Sequence, residues 1–106
     1  MELKYLEPLI LLKIIDKYGP IKGIIALHKL VHDLTRKGLR LKYTFINYSF
    51  GPYSKDLDED LRLLIKCGLV TIENNNGNIL IKLSSKGAKI IKSLLSVKSR
   101  GLSIES

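Results

Sequence analysis

Hydrophobic positions divide this chain into six segments of distinct period. Apolar residues at 3, 6, 10, 14 and 15 recur at helical spacing in a stretch that is apolar on nearly every side, so residues 3–18 predict a mostly buried helix. Pro8 fits its first turn, and Gly19-Pro20 stops it. A second helix is predicted over about 22–37, with Ile24, Leu27, Leu30, Val31 and Leu34 inward and Lys22, Lys29, Asp33 and Arg36 outward. Arg36 and Lys37 suit the negative end of its dipole, and Gly38 suits the left-handed stop. Residues 41–48 are β-branched and aromatic and predict a short strand, broken at Gly51-Pro52. Ser54 then reads as the N-cap of a third helix, 54–67, with Leu57, Leu61, Leu64 and Ile65 inward and Gly68 at its end.

Asn76-Gly77 predicts a two-residue type I′ hairpin turn. That turn pairs Asn75 with Asn78, Ile72 with Ile81 and Val70 with Leu83. It places Val70, Ile72, Ile79, Ile81 and Leu83 on one face, with Thr71, Glu73 and Lys82 on the other. Leu80 is the apolar residue left on the polar face. A fourth helix is expected from near Ser85, with Ile91, Leu94 and Leu95 inward and Lys86, Lys89 and Lys92 outward. The order is helix, helix, strand, helix, hairpin, helix. It predicts an α+β, mostly helical chain with the winged helix-turn-helix arrangement, in which a β-hairpin wing follows the recognition helix. Residues 1–98 are expected to form that domain, and 99–106 a loose C-terminal tail.

Residues 48–70, YSFGPYSKDLDEDLRLLIKCGLV, resemble the GPYS…L…DL…L…GL(I/V) signature of YwgA-like prokaryotic winged-helix proteins. The upstream IKGIIALHKLVHDL is similar to that family's KG…LQKLV segment, and LSSKGAKII resembles the start of the last helix in many winged-helix regulators. His28 departs from the pattern, where the family usually has Gln. The resemblance spans about residues 20–95 and implies the fold together with a regulatory or nucleic-acid role. It implies no catalytic residue.

Charge points the same way. Among 106 residues, 18 Lys and Arg outnumber 10 Asp and Glu, a net charge of +8. Residues 1–53 carry +5, 54–75 carry −2 and 76–106 carry +5. A basic protein of this predicted fold suits duplex DNA, whose phosphates dominate affinity. The candidate DNA-contacting residues are Ser54, Lys55, Arg62 and Lys66 on the third helix, Asn75 and Asn76 at the wing tip, and Lys82 on the wing. Asp56, Asp58, Glu59 and Asp60 oppose phosphate binding at that helix. Their plainer reading is dipole matching at its start plus an Asp58–Arg62 pair. The second expectation is a protein-interaction module that uses this acidic face.

The remaining chemistry adds little. No P-loop, GxGxxG, HExxH or paired CxxC is present, so no enzyme, cofactor or catalytic residue is assigned. His28 and His32 have the i, i+4 spacing of metal ligands but no third ligand in sequence, and they read as a partly buried and a polar histidine. The single cysteine, Cys67, reads as a packed thiol in a reducing, cytoplasmic setting. Tyr43, Phe45, Tyr48, Phe50 and Tyr53 would serve either as core or as a base-stacking platform, and their alternation favours core. No membrane span or signal peptide is expected. A homodimer through the first or last helix is expected from the apolar character of residues 3–15 and 90–97.

Overall fold

The computed structural model describes residues 3–93, with side chains from residue 7 onward. About half of these residues are helical, and antiparallel strands supply the rest of the regular structure. The first helix, α1, spans Leu3–Tyr18. Because it begins at Leu3, Pro8 lies in its second turn rather than its first and forfeits one intrahelical bond. Leu11, Leu12, Ile14 and Ile15 are buried in the chain's own core. Gly19 closes the helix by donating its N–H to the Ile15 carbonyl at 2.8 Å.

A two-residue strand, β1 (Ile21–Lys22), follows, and sequence pattern does not reveal it. Helix α2 (Ile24–Arg36) buries Leu27, His28 and Val31, with Ile24, Leu30 and Leu34 packed around them. Residues 39–45 belong to no helix and have no strand partner. Leu39, Leu41, Tyr43 and Phe45 turn toward the core and Arg40, Lys42 and Thr44 toward solvent. The predicted strand over 41–48 is therefore corrected. Its alternation is real, but only Ile46–Tyr48 (β2) pairs, and it pairs with Gly51–Tyr53 (β3).

Gly51-Pro52 thus belongs to a strand rather than ending one. A two-residue connection makes Tyr48 and Gly51 the closing pair of this hairpin. Alternation then leaves Pro52, opposite Asn47, where a strand N–H would point away from its partner, so its missing donor costs the ladder nothing.

Helix α3 spans Lys55–Lys66 and buries Leu57, Leu61 and Leu64. It leads into β4 (Val70–Asn75) and β5 (Asn78–Leu83), whose register, from Val70↔Leu83 through Ile72↔Ile81 to Asn75↔Asn78, is the one predicted. Asn76 and Gly77 take φ values of 55° and 85°, the left-handed pair a type I′ turn requires. Strand β5 lies between β4 and β1, with Ile21 opposite Ile81 and Lys22 opposite Leu80. Leu80 is accordingly half-covered.

Only the base of the ribbon joins the core. Val70 and Ile81 are buried, whereas Ile72 and Ile79, expected on the same covered face, are exposed, Ile72 on the edge strand away from β1 and Ile79 past the level that β1 reaches. Residues 85–93 form a further helix, α4, with Ile91 buried and Lys86, Lys89 and Lys92 exposed. Leu94, Leu95 and the expected tail lie outside the described residues. Cys67, expected to be packed, is exposed, because it caps α3 past the last buried turn.

Candidate nucleic-acid interface

Helix α3 carries most of the candidate contacts, and its first turn is fixed from inside the protein. Ser54 has extended backbone angles, and its hydroxyl oxygen accepts the Leu57 N–H at 3.3 Å. Its own N–H donates to His28 Nδ1 at 3.0 Å. Ser54 is wholly buried, so its side chain is a cap and not a surface contact, which corrects the sequence reading.

His28 is likewise 0% exposed, beyond the partial burial expected of it. Tyr53 stacks on its ring at 4.3 Å. Burial pulls the His28 pKa below its ordinary value, with the Asp58 charge pulling the other way. Its Nε2 has no hydrogen-bond partner among the described residues. His32 meets Phe45 edge-on at 4.9 Å. Both histidines are thus engaged in packing, and no group of three metal-ligating side chains occurs among the described residues.

Lys55, Arg62 and Lys66 share one exposed stripe of α3 at i, i+7 and i+11. Arg62 is tied to Asp58 by Nε–Oδ2 contact at 2.9 Å, the pair expected from spacing. Asp60 is withdrawn from this face. It accepts the Tyr43 hydroxyl at 2.8 Å, and desolvation raises its pKa. The Tyr43 phenol is pushed far above its usual range, first by burial and then by Asp60. Of the four acids at 56–60, Asp56 and Glu59 remain exposed, which leaves the outer face of α3 nearly charge-balanced rather than acidic.

On the ribbon, Lys82 is half-covered and bridges to Glu73 at 2.6 Å, so it is not a free cation. Asn75 pairs with Asn78, Asn76 holds the left-handed turn, and Asn74 accepts the Gly77 N–H at 3.1 Å. All are exposed, and their backbone roles are turn chemistry.

The aromatic residues depart most from expectation. Tyr43 is buried and Phe45 half-buried, but Tyr48 is 49% and Phe50 43% exposed. Those two rings stack at 5.3 Å with an interplanar angle of 6°, and Tyr53 meets both edge-on. Their alternation continues that of 41–45 into a hairpin whose first strand is exposed while its second packs on α2, and no apolar run in the sequence marks that change.

No family model, curated protein or solved structure matches this chain. No helix among the described residues is long and apolar enough to cross a membrane.

Proposed function

We propose that this chain is a winged-helix protein of the YwgA-like kind that binds duplex DNA and acts as a transcriptional regulator. The observation that carries the reading is the element order around α3. The helix is followed at once by the β4–β5 ribbon, whose second strand pairs back to β1 between α1 and α2. A winged helix has this order of strand, helix pair and hairpin, here with the β2–β3 hairpin inserted between α2 and α3, and such a fold presents the second helix of the pair to the major groove. The net charge of +8 supplies the sequence-independent attraction to phosphate.

Within this reading, Lys55, Arg62 and Lys66 meet the backbone phosphates from α3, and the balanced charge of that helix keeps affinity modest. Lys82 contributes once Glu73 releases it. The protein-interaction alternative draws less support, because Asp60 faces Tyr43 and Asp58 is neutralised by Arg62, so the acidic face it needs is halved. Assembly as a homodimer belongs to the proposal, since paired half-sites match a two-fold axis.

Anisotropy titration of a generic blunt duplex at low and moderate salt tests the reading. A steep loss of affinity with salt is expected, at about −0.9 in log K per log salt for each phosphate neutralised. Absence of binding at low salt overturns it.

A further inference from the structure

The β2–β3 hairpin has no role in the proposed duplex contact, yet it groups three large exposed apolar side chains, Ile46, Tyr48 and Phe50. Ile46 is 58% exposed, and Tyr48 and Phe50 stand beside it as a parallel stacked pair. Tyr53 braces both rings edge-on while its own ring is stacked on buried His28, so the aromatic cluster is anchored to the core at one end and open at the other.

Among the described residues, the one acid that acts on the cluster is Asp58, at the Tyr53 hydroxyl, and Arg62 pairs with it; the approach to the hairpin is cationic. Residues 46–53, INYSFGPY, contain no charged side chain. The lysine stem of Lys29 lies over Gly51, so close that a Cβ there would sit 2.9 Å from Lys29 Cε. Its ammonium is thereby delivered to the hairpin tip. Asp33, one turn further on, forms no ion pair with Lys29 among the described residues. The chain enters the hairpin through RKGLRLK at 36–42, which holds Arg36, Lys37, Arg40 and Lys42, all exposed, and no acid.

Exposed rings, with Lys29 at the hairpin and a basic run leading into it, have the two components of single-strand binding, a π-face for bases and positive charge for phosphates. We propose that the β2–β3 hairpin is a stacking platform for an unpaired stretch of DNA, with Tyr48 and Phe50 taking bases and Lys29, Arg36, Lys37 and Arg40 taking phosphates. The proposal rests on the duplex reading only in taking DNA as the polymer. Charge complementarity argues for this occupant, because a polyanion matches a hairpin that carries no acid of its own and is entered through a basic run.

The test is anisotropy of a labelled oligothymidylate of about 15 nucleotides and, separately, of a blunt duplex, for the wild-type full chain, Tyr48→Ala/Phe50→Ala and Tyr48→Phe. Truncating both rings is expected to weaken oligothymidylate binding by about tenfold or more, while Tyr48→Phe keeps it. Duplex affinity is expected to stay within about twofold, and the exposed positions leave the circular dichroism melt unchanged. Oligothymidylate binding that ignores ring truncation overturns the proposal. So does an equal loss on both probes, or sedimentation showing a wild-type dimer that the double variant dissolves. Single-strand binding that needs the rings, with no duplex binding, keeps this inference and removes the duplex reading. Duplex binding with no oligothymidylate binding does the reverse.

Discussion

His28 Nδ1 accepts the backbone N–H of Ser54 at 3.0 Å, joining the middle of α2 to the cap of α3 across 26 residues of chain. An accepting Nδ1 places the ring proton on Nε2 and makes the imidazole neutral. One hydrogen bond and one stacked ring, Tyr53, therefore tie the start of α3 to α2.

Protonation of His28 should loosen that joint. An unfolded histidine titrates near 6.5, and the folded value lies lower because burial disfavours the charged ring. The stability contributed by neutral His28 is complete above about pH 6.5 and declines as pH falls from there to the lower folded value. His28→Gln, which keeps an acceptor for Ser54, should flatten this dependence. His28→Ala should cost about 3 kcal/mol by opening a void and stranding a buried N–H. Urea melts from pH 8 to pH 5 check both, and a wild-type slope matched by His28→Gln would falsify the assignment.

Ser54→Ala should lower stability by about 1 kcal/mol through loss of the cap to Leu57. Because the hydroxyl is buried, duplex affinity of the folded variant should not change. Thermal melts paired with the anisotropy titration separate the two effects. A drop in affinity without a drop in stability would put Ser54 back on the binding surface.

Freeing Lys82 should help DNA binding. Glu73→Gln removes the carboxylate at 2.6 Å, and duplex affinity at low salt should rise by about two- to fivefold, the worth of an exposed pair. Arg62→Ala/Lys66→Ala should weaken binding and flatten the salt slope by about 0.9 for each phosphate no longer neutralised. A salt slope unchanged in that double variant would move the phosphate-binding groups off α3.

Gly77→Ala should destabilise the ribbon by about 1 kcal/mol, since φ of 85° admits a Cβ poorly. Asn76→Gly at the neighbouring left-handed position should be near neutral. Chemical denaturation of the two variants gives the comparison, and equal losses would contradict the turn assignment.

Long periodic elements are legible in the sequence. The leucines at 57, 61 and 64 and the Asn-Gly turn each leave a repeated or position-specific mark. Strands β1 and β3 are not, because two or three residues carry no period, and Gly51-Pro52 has the local chemistry of a breaker. Residues 39–45 alternate like a strand because side chains anchor in and out, whereas a strand also needs a neighbour's backbone, which alternation does not report. At the candidate interface, charge type can be read from sequence but partnership cannot. Asp60 and Lys82 look like free charges until Tyr43 and Glu73 are seen beside them.

The joint at the root of the β4–β5 ribbon has a mechanical consequence. There the Ser84 N–H donates to the Leu69 carbonyl at 3.0 Å, and Lys86 Nζ reaches the Cys67 carbonyl at 3.1 Å. The Ser84 hydroxyl donates to the Gly68 carbonyl, and Gly87 packs against the Leu69 backbone where no Cβ would fit. The end of α3 and the start of α4 are thus clamped together at the point where the ribbon departs. From Ile72 to Ile79 every residue is exposed. The ribbon is a cantilever, held at its mounting and uncovered toward its tip. Its deflection grows toward Asn76, and a force applied there is delivered to the clamp that also holds the end of α3.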